Sequence, residues 1–138
     1  MKRITLFIVL IAVFIGMAVP VFAAQGDTLQ PLYHSISSLQ VGIDIDESTG
    51  IAYAGGSVNA YYQVPVEICT QLQVYKNGQW KTLMSWSNSG TGIAYAGGEW
   101  PVESGYNYRT RVTGSVCNDL GIPIESEVGT REVYYPAS

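Results

Sequence analysis

From Leu39 onward the apolar side chains recur at every second residue, and that period constrains the fold more than any other feature of the chain. Leu39, Val41, Ile43 and Ile45 alternate with Gln40, Gly42 and Asp44, as a strand with one buried face requires, because successive side chains point to opposite sides of a sheet. Similar runs cover 51–63, 66–76, 79–87, 92–100, 106–117 and 128–135, separated by Gly, Asn, Asp and Ser. No stretch of this region shows a convincing helical period. Seven short alternating strands predict an all-β domain over residues 39–138, a seven-stranded antiparallel β-sandwich.

The first residues read differently. Lys2 and Arg3 precede an unbroken apolar run from Ile4 to Ala18, and Pro20-Val21-Phe22-Ala23-Ala24 adds a helix breaker and small residues. That is the layout of a signal peptide over 1–23, cleaved after Ala23. The alternative is a retained anchor, since Ile4 to Ala24 is just long enough to cross a bilayer. Residues 24–38 read as a polar N-terminal arm. Removing the first 23 residues leaves five basic residues against all eleven acidic ones, a formal charge of −6. Such a surface repels nucleic acid and anionic membranes. The expected location is therefore extracellular, with no membrane attachment after cleavage.

Cys69 and Cys117 are the two cysteines of the chain. An even count in an exported domain predicts one disulfide, worth about 4 kcal/mol on the chain-entropy account. Two thiols and the single His34 fall short of a structural zinc site, so no metal is expected. If the cysteines face one another on antiparallel strands, Val74 pairs with Val112, Leu72 with Gly114 and Thr70 with Val116, and the even-numbered apolar residues share one face.

Lys76-Asn77-Gly78-Gln79 is the strongest turn signal, and two loops compete there. A two-residue turn pairs Val74 with Lys81 and leaves Trp80, Met84 and Trp86 on the face opposite Leu72. A three-residue loop with a bulge at Gly78 pairs Val74 with Trp80 and turns all three inward. Burying a large apolar side chain is worth about 1.5–3 kcal/mol, which favours the bulged loop.

The run Trp100-Pro101-Val102-Glu103-Ser104-Gly105-Tyr106-Asn107-Tyr108-Arg109 resembles the approach to the sixth strand of a fibronectin type III or immunoglobulin-like domain. The resemblance implies that topology, makes Tyr106 the corner tyrosine and sets the third and sixth strands side by side. The Pro-Gly usual before the corner is missing, and the Cys spacing of antibody domains is absent. Leu72-Gln73, Lys76-Asn77-Gly78-Gln79-Trp80, Ser85-Trp86-Ser87 and Gly105-Tyr106-Asn107-Tyr108-Arg109 are also similar to an uncharacterised family of small secreted β-sandwich proteins of Gram-positive bacteria, over roughly residues 58–135. That likeness implies address and fold, and no chemistry.

Thr49-Gly50-Ile51-Ala52-Tyr53-Ala54-Gly55-Gly56 recurs letter for letter at 91–98. Two copies cannot close a propeller, but they open the second and fifth strands, which are neighbours in one sheet of the expected sandwich. The structural reading is tight sheet contact at the small residues. The functional reading makes Tyr53 and Tyr95 matched platforms for a repetitive ligand such as a glycan, with Trp100 and Tyr75 as further candidate contacts.

Catalytic constellations are poor. Asp44, Asp46, Ser48 and Gly50 fail the calcium-loop pattern at its required Gly and Glu positions. His34 lies in the arm without a rigid partner, so a serine triad has no base. The pairs Glu99 with Glu103 and Glu125 with Glu127 read as rim charges rather than as a glycosidase acid and base. No catalytic residue and no cofactor is expected. The sequence thus predicts a secreted, non-catalytic binding or adhesion module for an extracellular protein or glycan. The alternative is a self-associating structural component of the cell surface or matrix.

Overall fold

The computed structural model describes residues 35–138. The expected signal peptide and residues 24–34 of the expected arm lie outside the described residues. Seven strands follow in order: β1 (Ile36–Asp46), β2 (Ile51–Ala60), β3 (Pro65–Lys76), β4 (Gln79–Thr91), β5 (Ile93–Pro101), β6 (Tyr106–Cys117) and β7 (Pro123–Tyr135). They form a three-stranded sheet, β1-β2-β5, and a four-stranded sheet, β4-β3-β6-β7, with every neighbouring pair antiparallel. The strands therefore build an all-β sandwich, as the alternation predicted. The arm reading ends early: Ile36 is already a buried strand residue. It is held by the Glu125 carboxylate, which accepts from the amides of Ser35 at 2.7 Å and Ile36 at 3.3 Å.

The core follows the parity read from the sequence. Val66, Ile68, Leu72 and Val74 of β3 and Tyr108, Val112 and Val116 of β6 all point inward and are buried. Val58 and Ala94 complete one cluster, while Ala52, Ala54 and Leu72 form a second with Trp86, Leu83 and Ile43 around it. Covering one such aliphatic side chain contributes about 1.5–3 kcal/mol, so these two clusters hold the sheets together.

Three expectations need correction. The first is the β3–β6 register. Cys69 lies opposite Thr113, Thr70 opposite Val112, Leu72 opposite Thr110 and Val74 opposite Tyr108. Pairing the cysteines would have pushed Val66 and Ile68 against the turn at 118–121; the actual register sets them against Val116 and Gly114. Because the slip is an even number of residues, every side chain keeps its face.

The second concerns the hairpin. Asn77 (φ 54°) and Gly78 (φ 75°) form a two-residue turn with both central residues left-handed, and Val74 pairs with Lys81. This twist-matched turn is what Asn-Gly favours. The bulge sits further along, where Leu72 pairs with Met84 but Gln73 with Thr82. Leu83 is the extra residue, and it returns Met84 and Trp86 to the inward side while Trp80 stays outside. The burial argument and the turn argument were compatible once the bulge could move.

The third is the corner tyrosine. The hydroxyl of Tyr108, not Tyr106, returns to the preceding loop, donating to the Glu103 carbonyl and accepting from its amide at 3.0 Å. Burial raises its pKa above the ordinary phenol value. Tyr106 instead lies beneath the Lys76 ammonium, 4.2 Å from the ring centre, while Lys76 pairs with Glu103 at 3.2 Å. Tyr108→Phe is expected to lower the unfolding free energy in urea by about 1–3 kcal/mol, because the buried Tyr108 ring loses two hydrogen bonds to the Glu103 backbone, each worth about 0.5–1.5 kcal/mol. Tyr106→Phe should cost less than about 0.5 kcal/mol as a surface change.

Candidate functional site

The repeated octapeptide builds the site. Its two copies run in opposite directions in β2 and β5 and meet at their last three residues, where Gly55 pairs with Gly97, its own counterpart. Ala54 then faces Gly98 and Gly56 faces Ala96, which are equivalent pairs, so the repeat carries a local two-fold axis through the sheet at Gly55 and Gly97. On the other side of β2, Gly42 of β1 pairs with Gly55. Three glycines thus cross the outer face of the sheet in one row.

Each glycine pair divides its labour between the two faces. Gly56 and Gly98 point inward, where a Cβ at Gly56 would collide with Val112 and one at Gly98 would lie 2.5 Å from Trp86 Nε1. Their absent side chains admit the large residues of the opposite sheet. Gly55 and Gly97 point outward and leave a bare floor. A Cβ at Gly42 or Gly55 would meet nothing nearer than 3.9 Å, whereas one at Gly97 would run into β2, 2.7 Å from Gly55 Cα. Gly97 is required by strand contact; Gly42 and Gly55 are not.

Rows of larger residues wall this floor. One is Gln40, Ser57 and Tyr95, the other Asp44, Tyr53 and Glu99, each in register across the three strands. Tyr53 and Tyr95 belong to opposite walls, set off by four residues, so about 13 Å separates the two rows along the strands. The result is an open groove of about 750 Å³, with Arg131 of β7 at its β1 side. Both tyrosines are exposed. Ser57 is buried in the wall and its hydroxyl donates to Gln40 Oε1 at 3.5 Å. The groove offers two ring faces, the acceptor oxygens of Asp44 and Glu99, and one guanidinium.

The other candidates do not join it. Trp100 pairs with Ala52 on the inward side at the end of β5, and Tyr75 lies on the other sheet, 5.2 Å from Trp80. Sequence reasoning missed Gly42, Asp44 and Glu99 as companions of Tyr53. The signal was the glycine in an alternating strand, visible once the first strand's register against the second is known. Asp46 is engaged in its turn, accepting from the Ser48 hydroxyl at 2.5 Å and amide at 2.9 Å. Those bonds, the hydroxyl's first, lower its pKa.

No family model matches the chain, and no curated protein is similar to it. Among solved structures, the solution structure of a protein described as late embryogenesis abundant (LEA) is similar at 12% identity, covering 72% of this chain and 73% of its own, with a TM-score of 0.32. Neither fold nor function follows from a likeness of that size.

The expected disulfide is absent. Cys69 and Cys117 are both free thiols, and Cys117 stands four residues beyond the partner of Cys69 on β6. That places their Cα atoms about 13 Å apart along the strands, against roughly 4.4–6.8 Å for a bridge. Burial, then the Glu67 carboxylate beside it, raise the Cys117 thiol pKa. Cys69 is partly exposed. Under native, non-reducing conditions iodoacetamide should label Cys69 first, and the unfolded protein should titrate two thiols; an unreactive pair would restore the bridge.

Proposed function

We propose that this chain is an exported, non-catalytic binding module that holds a carbohydrate chain in the glycine-floored groove. The observation that carries the reading is the placement of Tyr53 and Tyr95 on opposite walls of one floor by an exact sequence repeat. Tyrosine offers an apolar face to pyranose C–H groups and a polar tip to water. Asp44 and Glu99 are acceptors suited to sugar hydroxyls, and their charge disfavours a polyanion in this groove. A peptide strand fits less well, because the sheet beneath already uses its own backbone groups and only side chains remain to bind.

The strand order supports an immunoglobulin or fibronectin type III-like topology, with the first, second and fifth strands in one sheet and the others in the second. The Tyr108 hydroxyl returning to Glu103 supports it as well. Export, and membership of the Gram-positive family of small secreted sandwiches, remain part of this proposal on the N-terminal layout and the quoted motifs. A second reading, self-association, is favoured by one feature: edge strand β4 carries no charge from Thr82 to Thr91, and such edges invite pairing.

The test compares variants on a glycan array, with circular dichroism and sedimentation as controls. Tyr53→Ala and Tyr95→Ala should each weaken binding by roughly tenfold, as loss of an aromatic stacking partner does. Gly55→Ala should keep the native spectrum and also lose binding, because its methyl rises from the floor with no contact closer than ordinary van der Waals distance. Full binding by Gly55→Ala contradicts the groove, and concentration-dependent association without glycan binding favours the edge-strand reading.

A further inference from the structure

The opposite face of the molecule carries a different chemistry. On the outer side of the four-stranded sheet, Thr82, Gln73, Arg109 and Glu132 form one row across β4, β3, β6 and β7. Gln71 and Arg111 pair in the next row. The Arg109 guanidinium is fixed in place: its Nε donates to Gln73 Oε1 at 2.7 Å, and its centre lies 4.3 Å over the Trp80 ring. Gln73 is itself buried and donates to Thr82 Oγ1 at 3.0 Å. The Trp80 ring is held in turn by Tyr75. This chain of contacts pins one edge and one face of the guanidinium and leaves its two terminal nitrogens without a partner among the described residues. Glu132 lies across from Arg109 on β7 and forms no ion pair with it.

Arg111 is two residues along on the same strand, so it shares that face with Arg109 at a spacing of roughly 7 Å. It is half-buried and makes no hydrogen bond or ion pair with any described residue. A half-buried guanidinium without a partner, beside a second one already oriented by stacking, is what a carboxylate-binding surface needs before its ligand arrives. Exposed rings adjoin the Arg109 end of the pair. Tyr75 of β3 and Tyr134 of β7 both point outward, Tyr134 from its pairing with Asn107 beside Arg109. Rings supply faces for sugar C–H groups, and the arginines supply the charge that those faces lack.

We infer that this sheet face binds an acidic polysaccharide, with Arg109 and Arg111 on its carboxylates and Tyr75 and Tyr134 against its sugar rings. The charge argument fixes the class: in an acidic protein, these two of the five basic residues among positions 35–138 occupy adjacent outward positions on a central strand. The inference does not rest on the groove, which lies on the other sheet and has acidic walls.

The test is a titration of the purified chain with polygalacturonate and with hyaluronate, read by Trp fluorescence and calorimetry. Polyglutamate and inorganic sulfate serve as the comparison arms. The expected result is saturable binding to at least one of the two polysaccharides, weakened by added salt. Arg111→Gln should reduce it by roughly tenfold or more while leaving the fold intact. Tyr134→Ala should reduce polysaccharide binding and not sulfate binding, which a bare charge effect would not do. Gly55→Ala should bind these polyanions like the wild type, so failure of the groove and failure of this face are separable. No binding to either polysaccharide overturns the inference, as does unchanged affinity in Arg111→Gln. Equal affinity for polyglutamate replaces the glycan with an acidic peptide and overturns it too.

Discussion

The pairing of Gly55 with Gly97 is the constraint on which the rest depends. It sets two identical segments antiparallel about a shared centre, and from it both faces of the three-stranded sheet follow. Inward, the second glycine of each pair admits Val112 or Trp86 from the opposite sheet. Outward, the first glycine of each pair leaves room between Tyr53 and Tyr95. An eight-residue sequence used twice thus serves core and surface at once, which gives its exact repetition a physical reason. A slip of one residue would put the tyrosines into the core and the inward glycines on the surface.

The two sheets divide the molecule into faces of unlike chemistry. The three-stranded sheet presents an open groove with carboxylates in its wall; the four-stranded sheet presents a surface where Trp80 and Gln73 orient Arg109. Both use tyrosine beside a polar group, and both rest on strands locked into register by the buried clusters around Val58 and Leu72. The two proposed binding surfaces lie on regular strands, which limits the ordering cost of engaging a ligand.

Parity was legible in the sequence and offset was not. The alternation at Leu39 to Ile45 and at Val66 to Val74 assigned inward and outward faces correctly, because that assignment depends only on the period of two. The cysteine pair then suggested an offset four residues from the real one. Nothing in local sequence distinguishes registers that differ by an even step; the choice lies in covering Val66 and Ile68 with partner strand rather than turn. The Asn-Gly turn was legible as a turn, yet the bulge moved to Leu83, since a bulge anywhere along the hairpin restores Trp86 to the core. Tyr106 and Tyr108 share a face by parity, and only the position of the Glu103 backbone selects Tyr108 as the corner. The repeat pointed to Tyr53 and Tyr95, while Gly42, Asp44 and Glu99 joined them through pairings between strands distant in sequence.

Cross-strand proton contacts in the nuclear Overhauser spectrum measure this central pairing most directly. The account predicts close backbone contacts from Gly55 to both Gly97 and Gly42, with Tyr53 opposite Glu99 and Ser57 opposite Tyr95. Backbone contacts joining Tyr53 directly to Tyr95, or none between Gly55 and Gly97, would contradict it.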